Sequence, residues 1–204
     1  MSEIDEKREK IIETALRRFS HFGLAKTTMN EIAEDLNISK ALLYYYFPDK
    51  NALFFEVAKN ILTGQLEEQS AALMNSENII DGLLKMIDVR IAFGEKFYMM
   101  KIQGVQIDHF ISDSRFHELR VDMKDKENIL IANFLEEGIK KGELKQIDTE
   151  KTAYLLNTIF MGIGMSELYI CSDSKSITLS AEVIESFRSK IKDIIQLIYD
   201  GIKK

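Results

Sequence analysis

The sequence predicts an all-α protein: an N-terminal three-helix unit built around a helix-turn-helix, followed by a larger C-terminal helical bundle. Three observations predict it. The 204 residues include one proline and ten glycines, too few for a loop-rich β architecture. Apolar residues recur at helical spacing along the chain, and no stretch alternates as a strand does. The composition, 46% hydrophobic and 29% charged, suits a globular chain with a proper core.

The elements follow in order. In the first, about residues 3–22, Ile4, Ile11, Ile12, Ala15, Leu16, Phe19 and Phe22 form one helical stripe with charges between them. Gly23 is placed to take the left-handed position after that helix. Thr28 and Glu31 form a capping box that opens the second helix, whose Met29, Ile32, Ala33 and Leu36 keep helical spacing. Asn37 tolerates positive φ and breaks the run. Ser39 caps a third helix that reaches about Phe47, and Pro48 stops it because the residue before proline resists the α conformation. Asp49 caps the fourth. Residues 28–47 thus read as helix, tight turn and short helix: a helix-turn-helix or, on pattern alone, any αα-hairpin. Further helical segments are predicted near 50–74, 78–93, 95–111, 114–141, 149–170 and 177–202, with Asp148 or Thr149 capping the one that starts at 149.

The third helix carries three consecutive tyrosines, which cannot share one face because neighbours point about 100° apart. Leu43 and Phe47 align with Ile38 and turn inward; Lys40, Ala41, Tyr44 and Tyr45 form the opposite, outward face; Tyr46 lies at the flank. That face suits duplex DNA. Lysine pairs with phosphate or guanine, alanine permits close approach and meets a thymine methyl, and tyrosine hydroxyls bond phosphate oxygens. A covered neighbouring helix or a partner protein would use the same face.

The stretch "GLAKTTMNEIAEDLNISKALLYYYFPDKNAL", Gly23 to Leu53, resembles the DNA-binding segment of the TetR family of transcriptional regulators. The matching residues are Gly23, Thr27-Thr28, Ile32-Ala33, Ile38-Ser39-Lys40, Leu43-Tyr44, Phe47, Lys50 and Leu53. Asn37 stands where the family usually has glycine. Residues 136–163 are similar to the connection between the seventh and eighth helices of many members. The resemblance implies a homodimer on a pseudo-palindromic double-stranded operator, with residues 1–49 as the DNA-binding domain and 50–204 as the ligand-binding and dimerisation domain. It places Lys40, Ala41, Tyr44 and Tyr45, with Leu42 as a lesser candidate, in the major groove. Thr28 would offer its amide and hydroxyl to a phosphate, and Lys50 would hold another.

Charge limits this reading. The formal net charge is −6 and the pI about 5.3, and the first sixty residues carry nine basic and ten acidic side chains. Non-specific affinity for DNA should therefore be weak, so two half-sites must act together.

In the C-terminal part, Ile184, Phe187, Ile191, Ile194 and Ile198 form a seam suited to helix packing, and Gly162, Gly164 and Ser166 of the preceding helix allow close approach. The family resemblance implies a four-helix dimer interface here; an intramolecular core is the alternative. The middle helices hold adaptable and aromatic residues, and fold resemblance makes them an effector pocket. Met86, Phe97, Tyr98, Met100, Gln103, Phe134 and Tyr154 are its candidate lining, and an amphipathic organic molecule its expected ligand. No cofactor or metal is implied. His109 and His117 lie two turns apart if helical, poor spacing for one metal, and no HExxH, GxSxG or phosphate loop occurs, so an enzyme is not expected. An activator, or a regulator without an effector, remains open beside the repressor. One cysteine, a charged N-terminus without a signal-like apolar stretch, and no apolar run of the ~18 residues a membrane helix needs lead to the expectation of a cytoplasmic protein.

Overall fold

The computed structural model describes residues 3–98, 113–171 and 181–204. Among these the chain forms eight helices: α1 (Glu3–Phe22), α2 (Met29–Asp35), α3 (Lys40–Tyr46), α4 (Lys50–Met74), α5 (Ile79–Tyr98), α6 (Ser114–Lys140), α7 (Thr149–Cys171) and α8 (Ala181–Ile202). No described helix is long and apolar enough to cross a membrane. The expected break between residues 93 and 95 does not occur. Gly94 lies inside α5, because one glycine weakens a helix by only about 1 kcal/mol and does not stop it.

The chain divides into two compact units, Met1–Thr63 with Phe93–Leu119, and Gly64–Ala92 with Arg120–Lys204. In the first, Ile11, Ile12, Ala15 and Phe19 of α1 are buried, as are Ile32, Ala33, Leu43, Phe47, Leu53, Phe54 and Val57. The division falls within α4 rather than before it, since the first turns of α4 belong to this core. The Phe19 and Phe54 rings meet edge-on at 5.8 Å. Two residues of the expected α1 stripe, Ile4 and Phe22, are exposed, while Thr14 is buried.

The second unit packs parts of α4, α5 and α6 with α7 and α8 around one core that includes Leu73, Met86, Ile131, Leu135, Leu156 and Phe160. A Cβ on Gly82 would lie 2.3 Å from Phe134 Cζ, and one on Gly138 2.6 Å from Ile79 Cδ1; the missing side chains let α5 and α6 approach. Gly142, at φ 77°, ends α6, and Glu143 N–H closes back onto the Gly138 carbonyl at 2.9 Å. Asp148 caps α7 by accepting from Lys151 N–H at 2.9 Å, which resolves the choice between Asp148 and Thr149. The end of α8 is pinned to the turn after α6, with Lys145 N–H donating to the Ile202 carbonyl at 2.9 Å.

Candidate nucleic-acid interface

The interface is built on a turn that sequence and structure agree on. Thr28 is the N-cap of α2: its Oγ1 accepts from Glu31 N–H at 3.3 Å, and its own N–H donates to Glu31 Oε2 at 2.8 Å. Asn37 follows α2 at φ 51°. Its N–H donates to Glu34 O, and Ile38 N–H to Ala33 O, both at 3.0 Å, a complete left-handed helix ending. Ser39 then caps α3, accepting from Leu42 N–H at 3.1 Å.

α3 is sorted by face as its spacing predicts. Leu43 and Phe47 are buried. Lys40, Ala41, Tyr44 and Tyr45 are exposed, Tyr45 at 76% and Tyr44 at 40%, and Tyr46 is half-buried. The Lys40 ammonium lies 5.9 Å from the centre of the Tyr44 ring, so a cation and a phenol share one spot. Tyr45 and Tyr46 meet edge-on at 5.4 Å. Thr28 is exposed as well, as is Lys26 two residues before it.

Other cations of the unit have internal tasks. Arg18 holds Asp35 with two bonds of 2.6 and 2.7 Å and reaches Glu31 at 3.4 Å, tying α1 to α2. Arg8 pairs with Glu56 at 2.7 Å and lies over the Phe47 ring. The carboxyl groups respond. Hydrogen bonds from Thr28 hold Glu31 below its ordinary pKa, and Arg18 does the same for Asp35.

Lys50 requires a correction. It was expected to hold a phosphate; instead its ammonium donates to the Leu24 carbonyl at 2.8 Å and the Thr27 carbonyl at 3.0 Å. It is half-buried, and desolvation lowers its pKa. These carbonyls lie 26 and 23 residues back in the chain, so no local pattern announces them. Lys50 fixes the loop that presents Thr28.

The predicted residues of the second unit are dispersed. Phe187 and Ile191 belong to the protomer's own core, so the intramolecular alternative holds for these two. Ile184, Ile194 and Ile198 are half-buried, whereas Gly162 and Ser166 are exposed. Of the effector candidates, Met86 is wholly buried, and Phe134 packs at Gly82 beside an open depression of about 240 Å³. Tyr154 is a second correction: it stands on the surface with Lys124 over its ring at 4.9 Å, because it follows the buried Ala153 by one residue and faces away from the core. Met100, Gln103 and the side chains of Phe97 and Tyr98 lie outside the described residues. No cluster of three or more metal-binding side chains occurs among the described residues.

Sequence reasoning missed a polar cluster in the second unit. Arg90 Nη2 donates to Glu127 at 2.7 Å and to Asn157 at 2.9 Å, and Gln65 donates to Glu127 at 3.1 Å. A signal was present: Arg90 falls three and four residues after the core residues Ile87 and Met86, and Asn157 follows Ala153 by four.

Comparison with known proteins agrees with the geometry. Residues 11–57 match the profile of the family described as bacterial regulatory proteins, tetR family. The helix-turn-helix segment of the chain is of the TetR type. Over its length the chain is 28% identical to the HTH-type transcriptional regulator RutR of Escherichia coli, the alignment covering 98% of this chain and 92% of RutR. A transcriptional regulator from Cytophaga hutchinsonii has a crystal structure that superposes with a TM-score of 0.85 at 29% identity, covering 97% of this chain and 99% of that one. The fold is shared as well with a regulator from Saccharomonospora viridis solved in complex with choline, with a TM-score of 0.69 at 20% identity, covering 98% and 99% of the two chains. The chain is accordingly a transcriptional regulator of TetR type with a DNA-binding helix-turn-helix. Its relatives are regulators rather than enzymes.

Proposed function

We propose that the protein is a homodimeric repressor that binds a pseudo-palindromic operator and leaves it when a small organic effector binds the C-terminal helices. One observation carries the DNA reading: α3 buries Leu43 and Phe47 and turns Lys40, Ala41, Tyr44 and Tyr45 outward. In this reading Lys40 and Lys26 neutralise phosphates, Thr28 offers its amide and hydroxyl to another, and Ala41 with Tyr44 and Tyr45 meets the groove.

Dimerisation supplies the affinity that a near-neutral unit lacks, with two α3 helices about 34 Å apart reading adjacent turns. Its support is a set of uncovered positions on α7 and α8. Leu155 and Met161 are about half exposed and Leu197 is 74% exposed, while Gly162 and Gly201 have no described neighbour where a Cβ would point. Gly162, Ser166 and Ile194 of the predicted interface lie with this set; Phe187 and Ile191 support it from beneath. The effector reading draws support from the choline complex of a protein with the same fold. In this reading the DNA-binding part runs from residues 1–49 into the first turns of α4, and the helices of the second unit form the effector and dimer part.

The test is selection of bound duplex DNA followed by anisotropy titration. Lys40→Ala and Tyr45→Ala should each weaken operator binding by about 1–3 kcal/mol, with Lys40→Ala also lowering the salt dependence. Unchanged affinity in both variants would refute the assigned face.

A further inference from the structure

The side chains of α3 restrict the bases it can read. Between Ser39 and Pro48 there is no arginine, asparagine, glutamine, aspartate or glutamate. Adenine is picked out by the paired hydrogen bonds of a carboxamide, and cytosine by a carboxylate that accepts from its amino group. α3 carries neither. Ser39 Oγ is engaged as the cap, accepting from Leu42 N–H at 3.1 Å. A tyrosine hydroxyl donates or accepts by rotation, so it discriminates poorly between bases. Two means of direct readout are left: Lys40 on a guanine, or apolar contact with the C5 methyl of thymine.

Geometry divides the outward face into two rows, each of residues four apart. Lys40 and Tyr44 form the first, with the ammonium 5.9 Å from the centre of the ring. The first sixty residues hold ten acidic side chains against nine basic ones. Arg8, Arg18 and Lys50 are already engaged inside the unit. The DNA backbone therefore has the stronger claim on Lys40, and the Tyr44 hydroxyl bonds phosphate beside it. Ala41 and Tyr45 form the second row, about 100° further round the helix. Ala41 presents a bare methyl group and is exposed. The Tyr45 ring is 76% exposed, more than any other tyrosine or phenylalanine among the described residues, and Tyr46 meets it edge-on at 5.4 Å. This row offers one methyl group and one ring, and no pair of hydrogen-bonding atoms.

Length sets the spacing. The seven residues of α3 span about 10 Å, or about three base steps of roughly 3.4 Å. Ala41 and Tyr45 are separated by a rise of about 6 Å, close to two steps. We infer that each operator half-site is recognised through thymine methyl groups, one against Ala41 and one against Tyr45 about two base steps away, while Lys40 and Tyr44 hold phosphate. This readout rests on the functional reading above, that α3 meets the major groove. Its chemical consequence is that 5-methylcytosine, which carries a methyl group at the same ring position, can stand in for either thymine.

The experiment uses the full chain and a duplex selected from a random pool, read by anisotropy titration. Deoxyuridine replaces each thymine in turn, which removes the methyl group and keeps every hydrogen-bonding atom. At two positions per half-site the replacement should weaken binding about fourfold, the worth of one buried methyl group. At those positions 5-methylcytosine paired with guanine should bind better than unmodified cytosine by a similar factor. The uracil penalty should vanish at one position in Ala41→Gly and at the other in Tyr45→Ala. Each penalty is a ratio of two duplexes on the same variant, so a change in stability cancels. Lys40→Ala should weaken the thymine and uracil duplexes alike. Uracil tolerated at every position, or penalties that persist in both variants, overturns the inference while the selected operator keeps the functional reading. A guanine whose N7 is needed by the wild type and not by Lys40→Ala, tested with 7-deazaguanine, also overturns it, because Lys40 then reads a base. A chain that selects no duplex refutes the functional reading and this readout with it.

Discussion

The turn between α2 and α3 can be tested at a single backbone angle. Asn37 sits at φ 51°, where a side chain with a Cβ costs about 1–2 kcal/mol and asparagine costs less. The backbone bond from Ile38 N–H to the Ala33 carbonyl, 3.0 Å, exists only while that angle is kept. Asn37→Gly relieves the residual strain but loses more chain entropy on folding, so its net effect should lie within about 0.5 kcal/mol of zero. Asn37→Ala should cost about 1 kcal/mol. Asn37→Val must either hold a branched side chain at positive φ, which costs more than alanine there, or release the turn and lose the Ile38 bond of about 1 kcal/mol together with the packing the turn fixes, so its cost should reach about 2 kcal/mol. In a chain of this length 1 kcal/mol moves the melting temperature by about 2–4 °C. Calorimetry should therefore rank Gly and Asn together, then Ala, then Val. Because the turn sets the angle of α3 against α2, the Val variant should lose operator affinity as well as stability. A Val variant that melts and binds like the wild type, or a Gly variant destabilised by more than about 1 kcal/mol, would refute the reasoning.

Further outcomes follow from the same contacts. Lys50→Met removes two bonds to loop carbonyls, offset in part by relief of a partly buried charge. It should cost about 1–2 kcal/mol in urea unfolding while leaving the salt slope of operator binding unchanged; a phosphate ligand would show the reverse. Glu31 and Asp35 have folded-state pKa values below their unfolded ones, so their stabilisation is complete above the ordinary carboxylate range and fades as pH falls through the depressed values. The urea midpoint should drop with acid, and Arg18→Ala should flatten that drop; an equally steep profile in the variant would contradict the assignment. Gly162→Phe should leave the protomer folded, since nothing described lies where its Cβ would point, yet sedimentation should show dimers replaced by monomers.

The legible parts of this protein were those decided within a few residues. The Thr28–Glu31 box, the Ser39 cap and the end of α3 before Pro48 each depend on neighbours along the chain. The outward face of α3 followed from spacing alone. The α8 stripe shows the boundary of such reasoning. Its periodicity announced a covered face, yet the cover over Phe187 and Ile191 is the protomer itself. Tyr154 failed for a related reason: an aromatic residue in an apolar helix was assigned to the interior, whereas its register one residue after Ala153 put it outside.

By itself the sequence determined the helices, their caps, the left-handed step at Asn37 and the side of α3 that carries Lys40, Ala41, Tyr44 and Tyr45. These are short-range consequences of helical period, capping hydrogen bonds and allowed backbone angles. The tertiary structure alone decided that Lys50 bonds carbonyls more than twenty residues away, that Phe187 and Ile191 turn inward, and that the polar side chain of Gln69 is buried in the second unit. An amphipathic pattern states which face is hidden. Which group hides it, and which polar atoms are buried with it, depends on the packing of helices that are distant in sequence.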